Sequence, residues 1–163
     1  MTYLDLFKSL QAHNIDYLLI GGLAMNLHGV PRMTMDVDLV IALDANNIAK
    51  LASCASELGL HPNVPVKLED IADAAKRDAL FSEKNLIALS LTSNAPASPT
   101  VDIVIHHPLD FKQAFAKKVL RDIAGTPVLL ACIEDMITLK KAAGREQDLS
   151  DIIHLERFLH ERN

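Results

Sequence analysis

The stretch from Gly21 to Ile41 reads GGLAMNLHGVPRMTMDVDLVI, and it ends in a short apolar strand that carries two aspartates. Residues i and i+2 of a strand point to the same face, so Asp36 and Asp38 are expected side by side, about 6–7 Å apart. Their repulsion is about 1 kcal/mol in water and several times larger where the effective dielectric constant is about 20. A bound cation is the simplest way to offset this repulsion.

A pair of glycines lies upstream of these aspartates. Gly21 and Gly22 follow the apolar run Tyr17–Ile20, which predicts a buried strand, and precede a short helix predicted from Leu23 to His28. The N-terminus of a helix offers free N–H groups that can hold phosphates, and glycine lets the backbone approach them closely. The same pair is also common in ordinary turns, so on its own it leaves both interpretations open.

A third carboxylate stands alone inside a later apolar stretch. Asp102 lies in TVDIVIH, where a charge is costly unless it is paired or bound to a metal. Three strand carboxylates suit a hard divalent cation such as Mg²⁺ (or Mn²⁺), which is commonly shared between carboxylates and substrate phosphates. Two such ions can activate an attacking oxygen and stabilise a leaving pyrophosphate. Each aspartate taken singly is also consistent with a solvated strand edge.

The composition predicts one globular domain over residues 1–163, with C-terminal helices from about residue 133. Half of the 163 residues are hydrophobic, Trp is absent, and the net charge of −5 gives no reason for non-specific binding to nucleic acid or an anionic membrane. Cys54 and Cys132 lack metal-type spacing and suit a reducing compartment. The N-terminus does not resemble a signal peptide and no run is long enough to span a membrane, so we expect a cytoplasmic protein.

Strand and helix patterns alternate along the chain, which predicts an α/β fold. We expect helices up to His13, over Ala45–Leu58, over Glu69–Leu80, from Asp110 to about Lys118, and within Ile133–Glu161, where Gly144 is the break. We expect strands over Thr34–Leu43, Asn85–Thr92 and Val101–Ile105, and two short strands within Val119–Leu130.

The C-terminal segment holds charged residues on otherwise apolar helical stripes. Lys140 continues the stripe of Ile133 and Met136, so it either binds triphosphate oxygens, with Asp148 orienting it, or forms a purely structural pair with Asp148. Arg145 is expected to contact phosphate or to cap the helix end.

Other polar residues are weaker candidates. Arg32 and Thr34 come just before Asp36 and could touch a nucleotide, although Arg32 could equally be a surface residue. A basic cluster could contact RNA but more often forms a solvated face; it comprises Lys112, Lys117, Lys118 and Arg121. For the pair His106-His107 and for His28 we expect structural or solvent roles rather than zinc binding.

The order of these motifs resembles the DNA polymerase β-like nucleotidyltransferase superfamily: GG, thirteen residues, D-V-D and a later strand aspartate. IGGLAMNLHGVPRMTMDVDLVI and the C-terminal MITLKKAAGREQDLSDIIHL are similar to its AbiEii/MenT-like branch of small bacterial enzymes, which are often toxins of toxin–antitoxin pairs. The resemblance implies an α/β (α+β) nucleotidyltransferase fold with a mixed sheet flanked by helices, and transfer of NMP from an NTP to a hydroxyl. Asp36, Asp38 and Asp102 match the metal-binding carboxylates of the family, and Gly21-Gly22 matches its phosphate turn.

Two positions depart from the pattern of the family. The second turn residue is often Ser in the wider superfamily but is Gly22 here, so only backbone donors remain for a phosphate. A basic residue often precedes the aspartate that corresponds to Asp148, and this chain has Gln147.

Three functions compete at this point. The first is a nucleotidyltransferase acting on RNA (tRNA-like) or protein, with a possible antitoxin protein as partner. The second is a catalytically silent module of the same fold that binds nucleotide or a partner, which the presence of all three carboxylates disfavours. The third is an antibiotic-type enzyme with a small-molecule acceptor, ranked lower because the chain has no obvious large second domain.

Overall fold

The computed structural model describes the backbone of residues 1–162; Asn163, the last residue of the expected domain, lies outside them. The helices are α1 (Tyr3–Ala12), α2 (Gly21–Leu27), α3 (Ala45–Glu57), α4 (Ala74–Lys84), α5 (Phe111–Ala116), α6 (Ile133–Ala143) and α7 (Glu146–Arg162), with a 3₁₀ helix at Leu68–Ala72. The strands are β1 (Tyr17–Ile20), β2 (Val37–Ile41), β3 (His61–Pro62), β4 (Ala88–Thr92), β5 (Val101–Val104), β6 (Val119–Ile123) and β7 (Thr126–Leu130).

The seven strands of this part of the chain form one mixed sheet in the order β3-β4-β5-β2-β1-β7-β6. β2 runs antiparallel to β1 and parallel to β5, and β1 runs parallel to β7. The central strands are apolar runs because they are buried on both faces, as all four residues of β1 are. The α/β fold class and the mixed sheet expected from the sequence are therefore confirmed.

Local signals explain where the helices begin. Thr2 and Asp5 form a capping box at the start of α1, in which each side chain accepts a hydrogen bond from the backbone N–H of the other residue. Asp44, Asp73 and Asp110 cap α3, α4 and α5 in the simpler way, through one carboxylate accepting from the first turn. Gly144 ends α6 in the left-handed conformation, so the predicted break between the C-terminal helices is confirmed.

The core is aliphatic, as the composition indicates. The side chains of Leu10, Leu18 and Leu39 are fully buried, and Phe7 stacks on Tyr17 with ring centroids 6.3 Å apart. Among the described residues, no helix is both long enough and apolar enough to cross a bilayer.

Three predicted boundaries are wrong. The single helix expected over Glu69–Leu80 is a 3₁₀ helix followed by α4, because Asp73 caps a new helix within it. β4 begins at Ala88 rather than Asn85, which is in the left-handed conformation at the end of α4. β2 begins at Val37 rather than Thr34, so Asp36 precedes the strand instead of lying within it.

Candidate active site

The register of two parallel strands brings two of the predicted carboxylates together. Asp38 of β2 is the direct partner of Asp102 of β5, so both side chains leave the sheet on the same face. Ser90 on the neighbouring strand β4 donates a hydrogen bond to Oδ1 of Asp102 at 2.6 Å. The two aspartates, which are 64 positions apart in the chain, therefore form one acidic pair.

The electrostatics of Asp38 reflect this crowding. Burial raises its pKa most, and the charges of Asp102 and Asp36 and a hydrogen bond with Asp102 raise it further, whereas the charge of Lys140 lowers it; the resulting pKa is about 6. Asp36 is exposed at the entrance of β2, yet it is close enough to contribute. Burial and the neighbouring negative charges therefore make ionisation of Asp38 less favourable than ionisation of an exposed aspartate.

The donor atoms of this cluster suit a hard divalent cation. In the described residues, no group of three or more His, Cys, Asp or Glu side chains is already arranged around a point that could hold a metal ion. The acidic pair with Asp36 nearby is thus an open, oxygen-only set rather than a closed cage. Mg²⁺ is usually held by one or two carboxylates together with waters and substrate phosphates, so the residues fit such an ion.

The two glycines allow α2 to begin in contact with the acidic pair. Gly21 has φ +74°, and a Cβ there would lie 2.2 Å from Oδ2 of Asp38. A Cβ on Gly22 would lie 2.9 Å from Cβ of Thr34, whose hydroxyl donates to the backbone carbonyl of Asp36 at 3.2 Å. The glycines are therefore needed for packing against Asp38 and Thr34, and their contact with phosphate remains a prediction.

Lys140 of α6 carries a positive charge near Asp38, and two carboxylates of α7 hold it there. Lys140 is a buried residue, 7% exposed. Its ammonium lies 3.4 Å from Oδ1 of Asp148 and 3.0 Å from Oδ2 of Asp151. Arg32 makes an ion pair with the same oxygen of Asp151 through Nη1. The predicted Lys140–Asp148 pair is present, and Arg32 is tied to α7 rather than being a free surface residue.

The carboxylates of this network are charged. Burial alone would raise the pKa of both Asp148 and Asp151, but hydrogen bonds from Arg145 to the first, and from Arg32 and Lys140 to the second, hold both pKa values below 3.8. Their ionised forms fix the positions of the cations beside Asp38 and Asp102.

Arg145 lies just before α7, and from the sequence we expected it either to contact phosphate or to cap a helix end. Its backbone N–H donates to Oδ2 of Asp148 at 3.0 Å, and its guanidinium makes two further bonds to that carboxylate at 2.9 and 3.2 Å. The side chain is still 61% exposed although Nε and Nη2 are bonded to Asp148.

Asp151 is the residue that sequence reasoning missed. It follows Asp148 by three positions, so the two share one helical face together with Ile152 and Leu155, and this spacing was the available signal. Its partner Arg32 is 119 positions away, and no local pattern predicts that contact.

A cavity of about 750 Å³ opens between the acidic pair and α6. Asp38, Lys140 and Arg145 line its charged part, and residues of β5, α6 and the segment after β5 line the remainder. This volume falls within the range typical of small-molecule sites, about 300–1,000 Å³.

The remaining candidates have partners elsewhere in the protein. Lys117 makes an ion pair with Asp135 at 3.1 Å, and the ammonium of Lys118 lies 4.2 Å from the ring centroid of Phe115, so an RNA contact of the basic cluster stays a prediction. The buried His28 bonds through Nε2 to the carbonyl of Ala131 at 2.8 Å, a packing role as expected.

Comparison with known proteins gives one family and several similar folds. Residues 4–161 match the model of a family described as nucleotidyl transferase AbiEii toxin, type IV toxin–antitoxin system. No curated protein matches the sequence.

Solved structures share the fold. The lincosamide antibiotic adenylyltransferase LnuA, lincomycin-bound, is similar with a TM-score of 0.59 at 14% identity over 96% of this chain and 97% of that one. ANT(2")-Ia in complex with adenylyl-2"-tobramycin gives 0.57 at 13% identity over 95% and 86%. A putative nucleotidyltransferase (TM1012) from Thermotoga maritima gives 0.54 at 14% identity over 96% and 89%.

Proposed function

This chain belongs to the AbiEii nucleotidyl transferase toxin family, and from that premise we propose that it transfers NMP from an NTP to a hydroxyl group of RNA or protein, with a divalent cation and release of pyrophosphate. The observation that carries the proposal is the register pairing of Asp38 with Asp102, directly against the Gly21 turn. Burial, together with the charges of Asp102 and Asp36, raises the pKa of Asp38 to about 6, so an ionised carboxylate there is costly for folding, and a role in substrate chemistry would account for its presence.

We assign the metal to the acidic cluster. Asp38 and Asp102 would hold Mg²⁺ or Mn²⁺, with Asp36 as a third oxygen ligand. When bound, the cation neutralises charge on the triphosphate and activates the acceptor hydroxyl. Ser90 keeps Asp102 in position by donating to its Oδ1, which supports a role for that carboxylate beside the acceptor.

The phosphates are assigned to the cationic side of the cavity. An ammonium group has three N–H donors, and the described contacts of Lys140 direct two of them to Asp148 and Asp151. Because Lys140 also lines the cavity, we assign its third donor to a phosphate oxygen. Arg145 lines the same cavity and its Nη1 has no assigned role in the bonds to Asp148, so we assign Nη1 to a second phosphate oxygen; Gly21 and Gly22 would contribute backbone N–H groups.

The roles of the other nucleotide-binding candidates are less direct. Arg32 is bound to Asp151, so it supports the loop before β2 and reaches a nucleotide only if that pair opens. Thr34 packs on Gly22 and holds the carbonyl of Asp36, which makes it a support for the turn.

A small-molecule acceptor is the second candidate. LnuA is described as a lincosamide adenylyltransferase, and this chain covers 97% of its length. A fold of this size therefore occurs in a protein with a small acceptor, which removes the argument that a large second domain is required. The catalytically silent alternative is disfavoured, since the family is one of nucleotidyltransferases.

The test is transfer of label from each of four α-labelled NTPs, with Mg²⁺, to total RNA, to total protein and to lincomycin. We expect labelled product with one acceptor class, identified by its sensitivity to ribonuclease or protease. Asp102→Asn should remove the label, whereas Asp78→Asn, at an exposed position of α4, should not. A folded wild-type protein that labels none of these acceptors would contradict the proposal.

The proposed toxin role has a separate readout. Expression of the wild-type chain should arrest bacterial growth, and expression of Asp102→Asn should not. Arrest by both proteins would show that toxicity does not depend on transfer.

A further inference from the structure

His106 forms an aromatic platform at the edge of the cavity. Its ring stacks on Phe81 of α4 with centroids 3.6 Å apart and planes inclined by 13°. His106 is exposed and lines the cavity, whereas Phe81 covers one face of its ring from outside the cavity lining. The imidazole is therefore held flat by Phe81 and presents its other face to a ligand.

The strand geometry places this platform along the sheet from the acidic pair. Asp102 and Val104 lie on the same side of β5, because side chains at alternate positions of a strand share one face, and Val104 lines the cavity together with His106. The backbone N–H groups of Ile105 and His106 both donate to the carbonyl of Ile87, at 2.9 and 3.1 Å, as in a β-bulge, so His106 follows at the bend where β5 ends.

The lining of the cavity is charged in one part and apolar in another. Asp38, Lys140 and Arg145 give charge at one part, and Ile87, Val104 and Pro108 surround His106 with apolar surface at the other. A ligand with an anionic part and a planar, weakly polar part fits both.

We infer that His106, supported by Phe81, is the stacking platform for the base of the nucleoside triphosphate. This inference rests on the proposed function and adds the location of the base to it. Stacking of a base on a ring tolerates any base, because every base has a π face. His106 thus contributes affinity for the nucleoside, while the cationic part of the cavity contributes affinity for the phosphates.

The test separates the two halves of the ligand. Binding to the full chain is measured with Mg²⁺ for the four NTPs in α,β-non-hydrolysable form, and for inorganic tripolyphosphate, which has no base. His106→Ala should weaken binding of the preferred NTP by about 10-fold or more, within the range for loss of one base–aromatic stack. Binding of tripolyphosphate should stay unchanged.

Three variants control the experiment. His106→Phe keeps a flat ring and should retain NTP affinity, whereas Phe81→Leu removes the support and should weaken it less than His106→Ala does. His160→Ala, at an exposed position in the last turns of α7, should have no effect.

Two outcomes would overturn the inference for different reasons. If wild-type protein binds NTP and His106→Ala binds it equally well, the base lies elsewhere; a raised KM for the acceptor in that variant would assign this part of the cavity to the acceptor. If wild-type protein neither binds NTP nor transfers label, the proposed function fails and the inference fails with it.

Discussion

Replacing Asp38 by Asn should stabilise the metal-free protein while abolishing transfer. The amide is nearly the same size as the carboxylate, so packing against Gly21 and the neighbouring strands is retained. In the wild type, Asp38 must stay charged at pH 7 beside Asp102 and Asp36, and neutralising it relieves that repulsion. With the cation present, the same change removes an anionic ligand, so activity is lost.

The magnitude follows from the pKa of Asp38. It rises from 3.8 to about 6, and at about 1.4 kcal/mol per pH unit the ionised carboxylate costs at most about 3 kcal/mol. Because solvent reaches part of the side chain and screens its charge, we expect a gain of about 1–2 kcal/mol in the free energy of unfolding.

The sign of the pH dependence is also determined. The pKa of Asp38 is higher in the folded protein than in the unfolded chain, so between about pH 4 and pH 6 the folded state binds more protons. Wild-type stability from this group therefore falls as pH rises through that interval and is level above it. The advantage of Asp38→Asn should be near zero at pH 4 and complete above pH 6.

The assay is denaturant unfolding in EDTA at pH 4 and at pH 7.5, beside label transfer in Mg²⁺. Asp78→Asn, an exposed aspartate of α4, is the matched control and should change neither stability nor activity. If Asp38→Asn lowers the free energy of unfolding in EDTA, the carboxylate is structural and its assignment to a metal site is wrong.

Two further variants test the supports of the site. Asp151→Asn should lower the free energy of unfolding by about 3 kcal/mol, the low end for breaking a buried ion pair, since one of its two cations keeps another carboxylate. The pKa of Asp151 is lowered from 3.8 in the folded protein, so the loss should shrink as pH falls below 3.8, where the unfolded chain binds a proton before the folded protein does. Asp70→Asn, in a surface pair, should change little. Gly21→Ala should reduce kcat and stability more than Gly59→Ala does. Both glycines have φ near +70°, but only at Gly21 would a Cβ clash with Asp38, at 2.2 Å from its Oδ2. Equal effects in the two variants would show that backbone strain alone is responsible.

The sequence predicted the elements whose signals are local. The apolar runs at β1 and β2 and the helix stop at Gly144 lie where the pattern indicates, because burial and capping act over a few residues. The prediction of one helix over Glu69–Leu80 is wrong for an equally local reason. Asp73 caps the start of a new helix within that range, and this capping preference outweighs the continuous helical periodicity.

Long-range contacts of the site were predictable only in part. The motif order indicated that Asp38 and Asp102 would meet, and the strand register does pair them. The sequence held no comparable signal that Thr34 would pack on Gly22, or that Arg32 would cross to Asp151. Such contacts depend on how the loop before β2 lies against α7, which no periodicity describes.

The charge balance of the assembled site connects its two halves. Asp38, Lys140 and Arg145 line the cavity, and the charged groups that interact with them bring the site to three cations (Lys140, Arg145 and Arg32) and five carboxylates (Asp36, Asp38, Asp102, Asp148 and Asp151). The carboxylates therefore outnumber the cations when all are ionised. The C-terminal carboxylates neutralise much of the cationic charge that they hold in place. A triphosphate would therefore meet a site with a net negative charge, and attraction requires added positive charge. The arrangement that positions Lys140 thus supports the proposed dependence on a divalent cation: the same aspartates that hold Lys140 near Asp38 remove the surplus positive charge with which the chain could bind nucleotide alone.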